Sequence, residues 1–196
     1  MLGVLGGTFD PVHLGHLIIA EEARVRLGLK GVLFLPAGQP WMKSWAITPA
    51  PHRLEMLRLA LASNPTFHLS TLEMERAGPS YTYQTLPRLQ EEHPGEELSL
   101  LLGWDALEEF PRWKEPGRIL ELAQVVAFPR AGFPAPDLAR LRNEVPALAQ
   151  RLILMEGPVV QISSTEVRRR VKEGLSIRYL VPREVEEYIL RQGLYR

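Results

Sequence analysis

The chain has 196 residues, 45% of them apolar and 23% charged; this length and composition fit one soluble α/β domain, residues 1–196, around one core, and exclude a disordered chain. Lysine plus arginine balances aspartate plus glutamate at 23 each, so no global field holds a nucleic acid or an anionic membrane, and any anion site must be local. The absence of cysteine excludes disulfides, thiolate zinc sites and thiol nucleophiles. The first residues, MLGVLGGTFDP, lack a signal-peptide core, and no apolar run approaches the roughly 20 residues of a membrane span, which predicts a cytoplasmic location.

Apolar runs alternate with segments of helical periodicity, the pattern of βαβ units and a parallel sheet. Leu2–Leu5 reads as a first strand ending at Gly6-Gly7, and a helix from about Val12 to Leu27 closes near Gly28. Gly31–Pro36 is the second strand. A loop bearing Pro and Trp runs from Ala37 to Pro51, followed by a helix from His52 to Ala62 and a short third strand from Phe67 to Leu72. Thr82–Gln90 is helical, Leu98–Leu102 a strand, Ile119–Ala123 a short helix and Val125–Phe128 a strand. Leu138–Gln150 reads as an Arg-rich exposed helix and Leu152–Met155 as a last strand. One helix starts at Ser163-Ser-Thr-Glu166 and another at Pro182, since proline is tolerated in a first turn. The expected fold is a Rossmann-like, doubly wound, mainly parallel sheet with helices on both faces and a helical C-terminal segment. Its ligands belong in the crevice outside the carboxyl ends of the strands.

Gly6-Gly7-Thr8-Phe9-Asp10-Pro11 sits at the end of the first strand, where missing side chains let backbone N–H groups approach a phosphate. The sequence matches neither the G-x-G-x-x-G fingerprint nor the G-x-x-x-x-G-K-[ST] loop, so hydride transfer and P-loop hydrolysis lack their signatures. His13 and His16 follow three residues apart at a helix start, where the dipole favours anions, with Gly15 leaving room between them. A Gly-Gly pair alone is commonly a turn, and a lone histidine is commonly structural. The combination points instead to phosphate oxygens. A metal site is disfavoured because histidines at this spacing have no cysteine and no fitting carboxylate beside them.

GGTFDPVHLGH resembles the N-terminal signature of the nucleotidyltransferase superfamily that bears the H-x-G-H motif. The resemblance implies direct in-line attack of a substrate phosphate on the α-phosphate of a nucleoside triphosphate, with no covalent enzyme intermediate. It implies ATP contacts from Gly6, Gly7, Thr8, Phe9 and His16. Ile162-Ser-Ser-Thr-Glu-Val-Arg168 resembles the superfamily's second signature, which adds Ile162, Ser163, Ser164, Thr165 and Arg168 to that site. Read on its own, Ser163 and Glu166 have capping-box spacing, and Arg168 lies one turn from the cap, within reach of an anion on the helix amides. Gly103-Trp104-Asp105 resembles the superfamily's G-x-D element, in which the carboxylate holds the adenylate ribose; a helix cap is the plainer alternative for Asp105.

Gly78-Pro-Ser-Tyr-Thr82 and Phe110-Pro-Arg-Trp-Lys114 resemble the bacterial nicotinate mononucleotide branch. That likeness implies stacking of Trp113 on a pyridine ring, with Thr82, Tyr81 and the amide of Lys114 near its carboxylate. Gln39-Pro-Trp-Met-Lys43 stands where many relatives have P-P-H-K, so the loop keeps its lysine without the histidine. Lys43, helped by His52 or Arg53, is then the expected contact to the mononucleotide phosphate, beside Thr8. The expected catalytic set is His13, His16, Lys43 and Arg168, with Mg²⁺ carried by the ATP phosphates and no metal site on the protein. The alternatives are an amidated or phosphopantetheine acceptor, or a non-catalytic nucleotide sensor. Trp41 and Trp45 are candidates for loop closure or for contacts in a homo-oligomer.

Overall fold

The computed structural model describes residues 1–39 and 47–196. Lys43, Trp41 and Trp45 lie outside the described residues. The chain opens with β1 (Leu2–Gly7), α1 (Leu14–Leu27), β2 (Gly31–Pro36), α2 (Ala50–Leu61) and β3 (Phe67–Leu69). A one-turn α3 (Leu72–Glu75) and α4 (Thr82–Glu92) lead to β4 (Leu98–Gly103), α5 (Trp104–Glu109), α6 (Pro116–Leu122) and β5 (Ala123–Phe128). Then follow α7 (Leu138–Glu144), α8 (Leu148–Arg151), β6 (Leu152–Leu154), α9 (Ser164–Lys172) and α10 (Arg183–Gln192).

The six strands form one sheet in the order β3-β2-β1-β4-β5-β6, and every pair is parallel. Successive residues of a strand face opposite sides, so β2 sends Val32 and Phe34 into one cluster and Leu33 and Leu35 into the other. The first cluster lies beneath α1, α2, α9 and α10, and the second beneath α4 to α8. Both faces are therefore covered, which is why the strands read as continuous apolar runs. Truncating a residue such as Leu100, 3% exposed in the centre of β4, to alanine would cost about 2–5 kcal/mol.

Sequence and structure differ mainly at helix boundaries. The expected helix over 138–150 is two, because Pro146 has no N–H and Val145 before it is held out of the helical region, at φ −135° and ψ 84°. α3 and α5 appear where no helix is expected; each has at most six residues, too few for a periodic signal. α1 begins at Leu14 rather than Val12, which makes His13 its N-cap, in extended conformation at φ −142° and ψ 168°.

The position of the site follows from the strand order. β1 is followed through α1 by β2 on one side, and its other neighbour is β4, so the winding reverses between β1 and β4. At such a switch point the connections leave in opposite directions and open a crevice at the carboxyl ends of the two strands.

Candidate active site

A crevice of about 270 Å³ occupies that switch point, and its wall includes Gly6, Gly7, Thr8 and Phe9 from the end of β1. His13, Gly15 and His16 from the start of α1, Gly103 from the end of β4, and Ile162–Thr165 with Arg168 from the start of α9 and the residues before it line the same crevice, whereas Asp105 of the expected set does not. His16 and Arg168, from opposite ends of the chain, thus share one cavity.

The two glycines of the loop stand for different reasons. A Cβ at Gly7 would come within 3.2 Å of the Phe9 ring, which folds back beneath the loop at φ 50° and is 2% exposed. Phe9 therefore presents only its backbone to a ligand, and its ring supports His16 edge-on at 5.0 Å. Gly6 is different, because a Cβ there would meet nothing within 4 Å. Protein packing does not require that glycine, and the open space lies on the crevice wall.

At the start of α1, the backbone N–H of His13 donates to Nδ1 of His16 at 3.2 Å. The neutral His16 ring must then carry its proton on Nε2, which becomes its hydrogen-bond donor. The His13 and His16 rings stack at 3.7 Å, and a Cβ at Gly15 would come within 3.0 Å of His13 Nδ1. Burial, with the positive charge of Arg130 second, lowers the His13 pKa to about 4. His13 is therefore neutral at physiological pH. Within the expected catalytic set, His13 therefore offers hydrogen bonding and shape, not charge.

The second signature is also partly redirected. Ser163 caps α9 by accepting from the Glu166 N–H at 3.1 Å, while the Glu166 carboxylate turns to Arg169 at 2.7 Å, leaving half of the expected capping box. The Ser164 hydroxyl donates to the Pro11 carbonyl at 2.9 Å, and Thr165 Oγ1 faces Arg168 Nη2 at 3.4 Å. The Ser164 proton is thus tied to the protein, while Ser163 and Thr165 accept in these bonds and keep their own hydroxyl protons to donate, beside the first-turn amides of α9. With the start of α1 beside it, two helix N-termini meet at one cavity, the arrangement that favours an anion. Arg168 Nη1 donates to the Asp10 carbonyl at 2.6 Å, which fixes the guanidinium beside the loop.

Arg130 is a crevice residue that the sequence reading missed. It lies two residues beyond the end of β5, so the rule that ligands lie beyond strand ends is the signal that finds it. Its Nη1 pairs with Asp105 Oδ2 at 2.7 Å. Asp105 stands in the first turn of α5 with its carboxylate on Arg130 rather than on the crevice wall.

Apart from Thr8, the described residues expected around the second substrate lie off the crevice wall, in two groups. Lys114 Nζ lies 5.7 Å above the Tyr81 ring, Thr82 opens α4, and Trp113 packs half-buried on Phe110 at 5.4 Å. This group is linked to the glycine loop by backbone: Ala37 N–H donates to Gly7, and Gln39 pairs with Pro79 just before Tyr81. In the other group, His52 Nδ1 lies 2.9 Å from the Tyr188 hydroxyl.

Arg53 does not have the expected role. It is 2% exposed, and its guanidinium donates to the carbonyls of Thr48, Thr8, Ala37 and Gly38 at 2.8–3.3 Å. A fork engaged on four carbonyls is a brace for the loops, not a phosphate contact.

The chain is similar to known proteins over its whole length. A family model described as cytidylyltransferase-like matches residues 4–170. The chain is 53% identical over 196 residues to a Roseiflexus protein, covering 100% of this chain and 98% of that one. It is 50% identical to one from Thermomicrobium roseum, covering 100% and 91%. Both relatives carry the name probable nicotinate-nucleotide adenylyltransferase. Among solved structures, a Plasmodium falciparum nicotinic acid mononucleotide adenylyltransferase complexed with NaAD shares the fold, with a TM-score of 0.81 at 20% identity, covering 99% of this chain and 96% of that one. The chain belongs to the cytidylyltransferase-like family, among the nicotinate-nucleotide adenylyltransferases.

Proposed function

We propose that this protein transfers the adenylyl group of ATP to nicotinate mononucleotide, yielding nicotinic acid adenine dinucleotide and pyrophosphate in NAD biosynthesis. The observation that carries the reading is the meeting of the glycine loop, His16, two helix N-termini and Arg168 at one crevice. Relatives at about half identity over the whole chain support the choice of acceptor.

In the reaction a phosphate oxygen of the mononucleotide attacks the α-phosphorus of ATP. The bond from that phosphorus to the bridging oxygen breaks, and pyrophosphate leaves with the electron pair. Two anions must approach each other, so catalysis rests on alignment and on donors aimed at the developing charge. His16 Nε2, Arg168 and the amides of α1 and α9 act on the triphosphate, and the neutral His13 ring supports His16 from behind. Arg130 adds a cation to the same wall. The attacking phosphate is already ionised, so no general base is needed. Mg²⁺ enters with ATP as part of the substrate; among the described residues no three His, Asp or Glu side chains gather to hold an ion.

Tyr81, Thr82, Trp113 and Lys114 receive the pyridine end, and Lys43 with His52 the mononucleotide phosphate. Asp105 reaches the ribose hydroxyls once it exchanges its partner Arg130 for them. Among the described residues no helix is long and apolar enough to cross a membrane, and the reading puts the enzyme in the cytoplasm with its soluble substrates. A pyrophosphate-release assay with ATP and, in turn, nicotinate mononucleotide, nicotinamide mononucleotide, phosphopantetheine or no acceptor tests the proposal. Release must be fastest with the nicotinate compound. Equal release without any acceptor, or preference for phosphopantetheine, would overturn it.

A further inference from the structure

Asp10 is 3% exposed, and each of its three oxygen atoms is held by a different part of the chain. Its Oδ1 accepts from the Tyr195 hydroxyl at 2.6 Å. Its Oδ2 accepts from the N–H of Thr48 at 3.2 Å, and its carbonyl accepts from Arg168 Nη1. Arg53 braces the same loops through Thr8 and Thr48. A carboxylate removed from water is costly unless its oxygens find donors, and here one donor comes from the penultimate residue of the chain.

The tail is built to deliver that donor. Gly193 ends α10 in the left-handed conformation, and Leu194 and Tyr195 pack on the core beneath α1 and α2. Tyr195 itself sits at φ 64°, a conformation that an aromatic residue adopts only when its surroundings impose it. Burial keeps its phenol protonated well beyond the ordinary tyrosine range, so it remains a donor throughout the working pH range.

We infer that Tyr195 is a positioning residue for adenylyl transfer, whose hydroxyl acts through Asp10 to hold the phosphate loop and Arg168 in one frame. Tyr195 is not on the crevice wall, so it acts through its neighbours rather than on substrate. The inference rests on the reading of Arg168 as a triphosphate contact, and the test separates the two.

Tyr195→Phe removes the hydroxyl and keeps the ring. The expected result is a folded protein whose kcat falls about tenfold or more while the Michaelis constants change by less than about threefold, since displacement of a catalytic donor acts on the transition state. In an Arg168→Lys background the same substitution is expected to lower kcat by less than about twofold, because the group it positions is already altered. A role in stability alone would lower the melting temperature with kcat unchanged, or would give equal factors in both backgrounds, and either result overturns the inference. If Arg168→Lys is impaired while Tyr195→Phe is silent, the inference fails and the reading of Arg168 stands. If Arg168→Lys is itself silent, both fail. Should Tyr195→Phe not fold, Asp10→Asn, which keeps the side-chain shape, is read by the same two-background comparison.

Discussion

Replacing His13 by asparagine separates the charge of the first histidine from its shape. Asparagine is a good N-cap residue and does not titrate in the relevant range. In the folded protein the His13 pKa is lowered from 6.5 to about 4, by burial first and by Arg130 second. Between those values the unfolded chain binds a proton that the folded chain refuses, so protonation favours unfolding. Stability linked to His13 is therefore fully present above pH 6.5 and is lost as pH falls towards 4. The full loss is about 3 kcal/mol, a large part of the 5–15 kcal/mol typical of a domain. Urea unfolding of wild type and His13→Asn at several pH values measures it, because other groups titrate in both proteins and cancel in the difference. Buried Glu73, whose pKa is raised chiefly by desolvation, is one such group. Relative to the variant, the wild type should lose about 3 kcal/mol between neutral pH and pH 4. A constant difference, or an NMR titration of the His13 ring with a midpoint near 6.5, would refute the neutral-histidine reasoning.

Gly6→Ala should fold with unchanged stability, since nothing lies within 4 Å of the added carbon, yet lower kcat/KM for ATP at least about tenfold because the methyl enters ligand space. Wild-type kinetics in that variant would mean the open space is not a ligand site. Arg53→Lys should lower the unfolding free energy by about 3 kcal/mol, because one ammonium cannot serve four carbonyls and buried acceptors lose their partners; an unchanged urea midpoint would contradict the brace. Trp113→Ala should raise the Michaelis constant for the mononucleotide by about tenfold with ATP little affected, as loss of a stacking face does. A change confined to ATP would show that the pyridine ring sits elsewhere.

The sheet was legible in the sequence because burial on both faces leaves apolar runs such as Gly31–Pro36 with turn signals on either side. The crevice was legible because Gly6-Gly7, the paired histidines and Ile162–Arg168 are local strings whose chemistry does not depend on distant partners. The roles that were missed are set by long-range contacts. Arg53 is an ordinary helix arginine in sequence, and only the fold brings four carbonyls to it. Asp10 is visible in the motif, but its partner lies 185 residues away. Arg130 follows a strand that the sequence shows, but that this strand, β5, lies beside β4 is set by the fold. The neutrality of His13 likewise depends on how deeply it is buried, which no spacing reveals.

The reversal of winding between β1 and β4 has a consequence for biosynthesis. Residues 1–97, ending where β4 begins, supply only one bank of the crevice, and the other bank is incomplete until Arg168 has been made. On the proposed reading a partly synthesised chain therefore offers no full nucleotide cradle and gains less folding free energy from ATP than the finished one. Once complete, a ligand lying across the seam clasps the two halves of the sheet, so heat resistance should rise with ATP concentration in the finished protein alone.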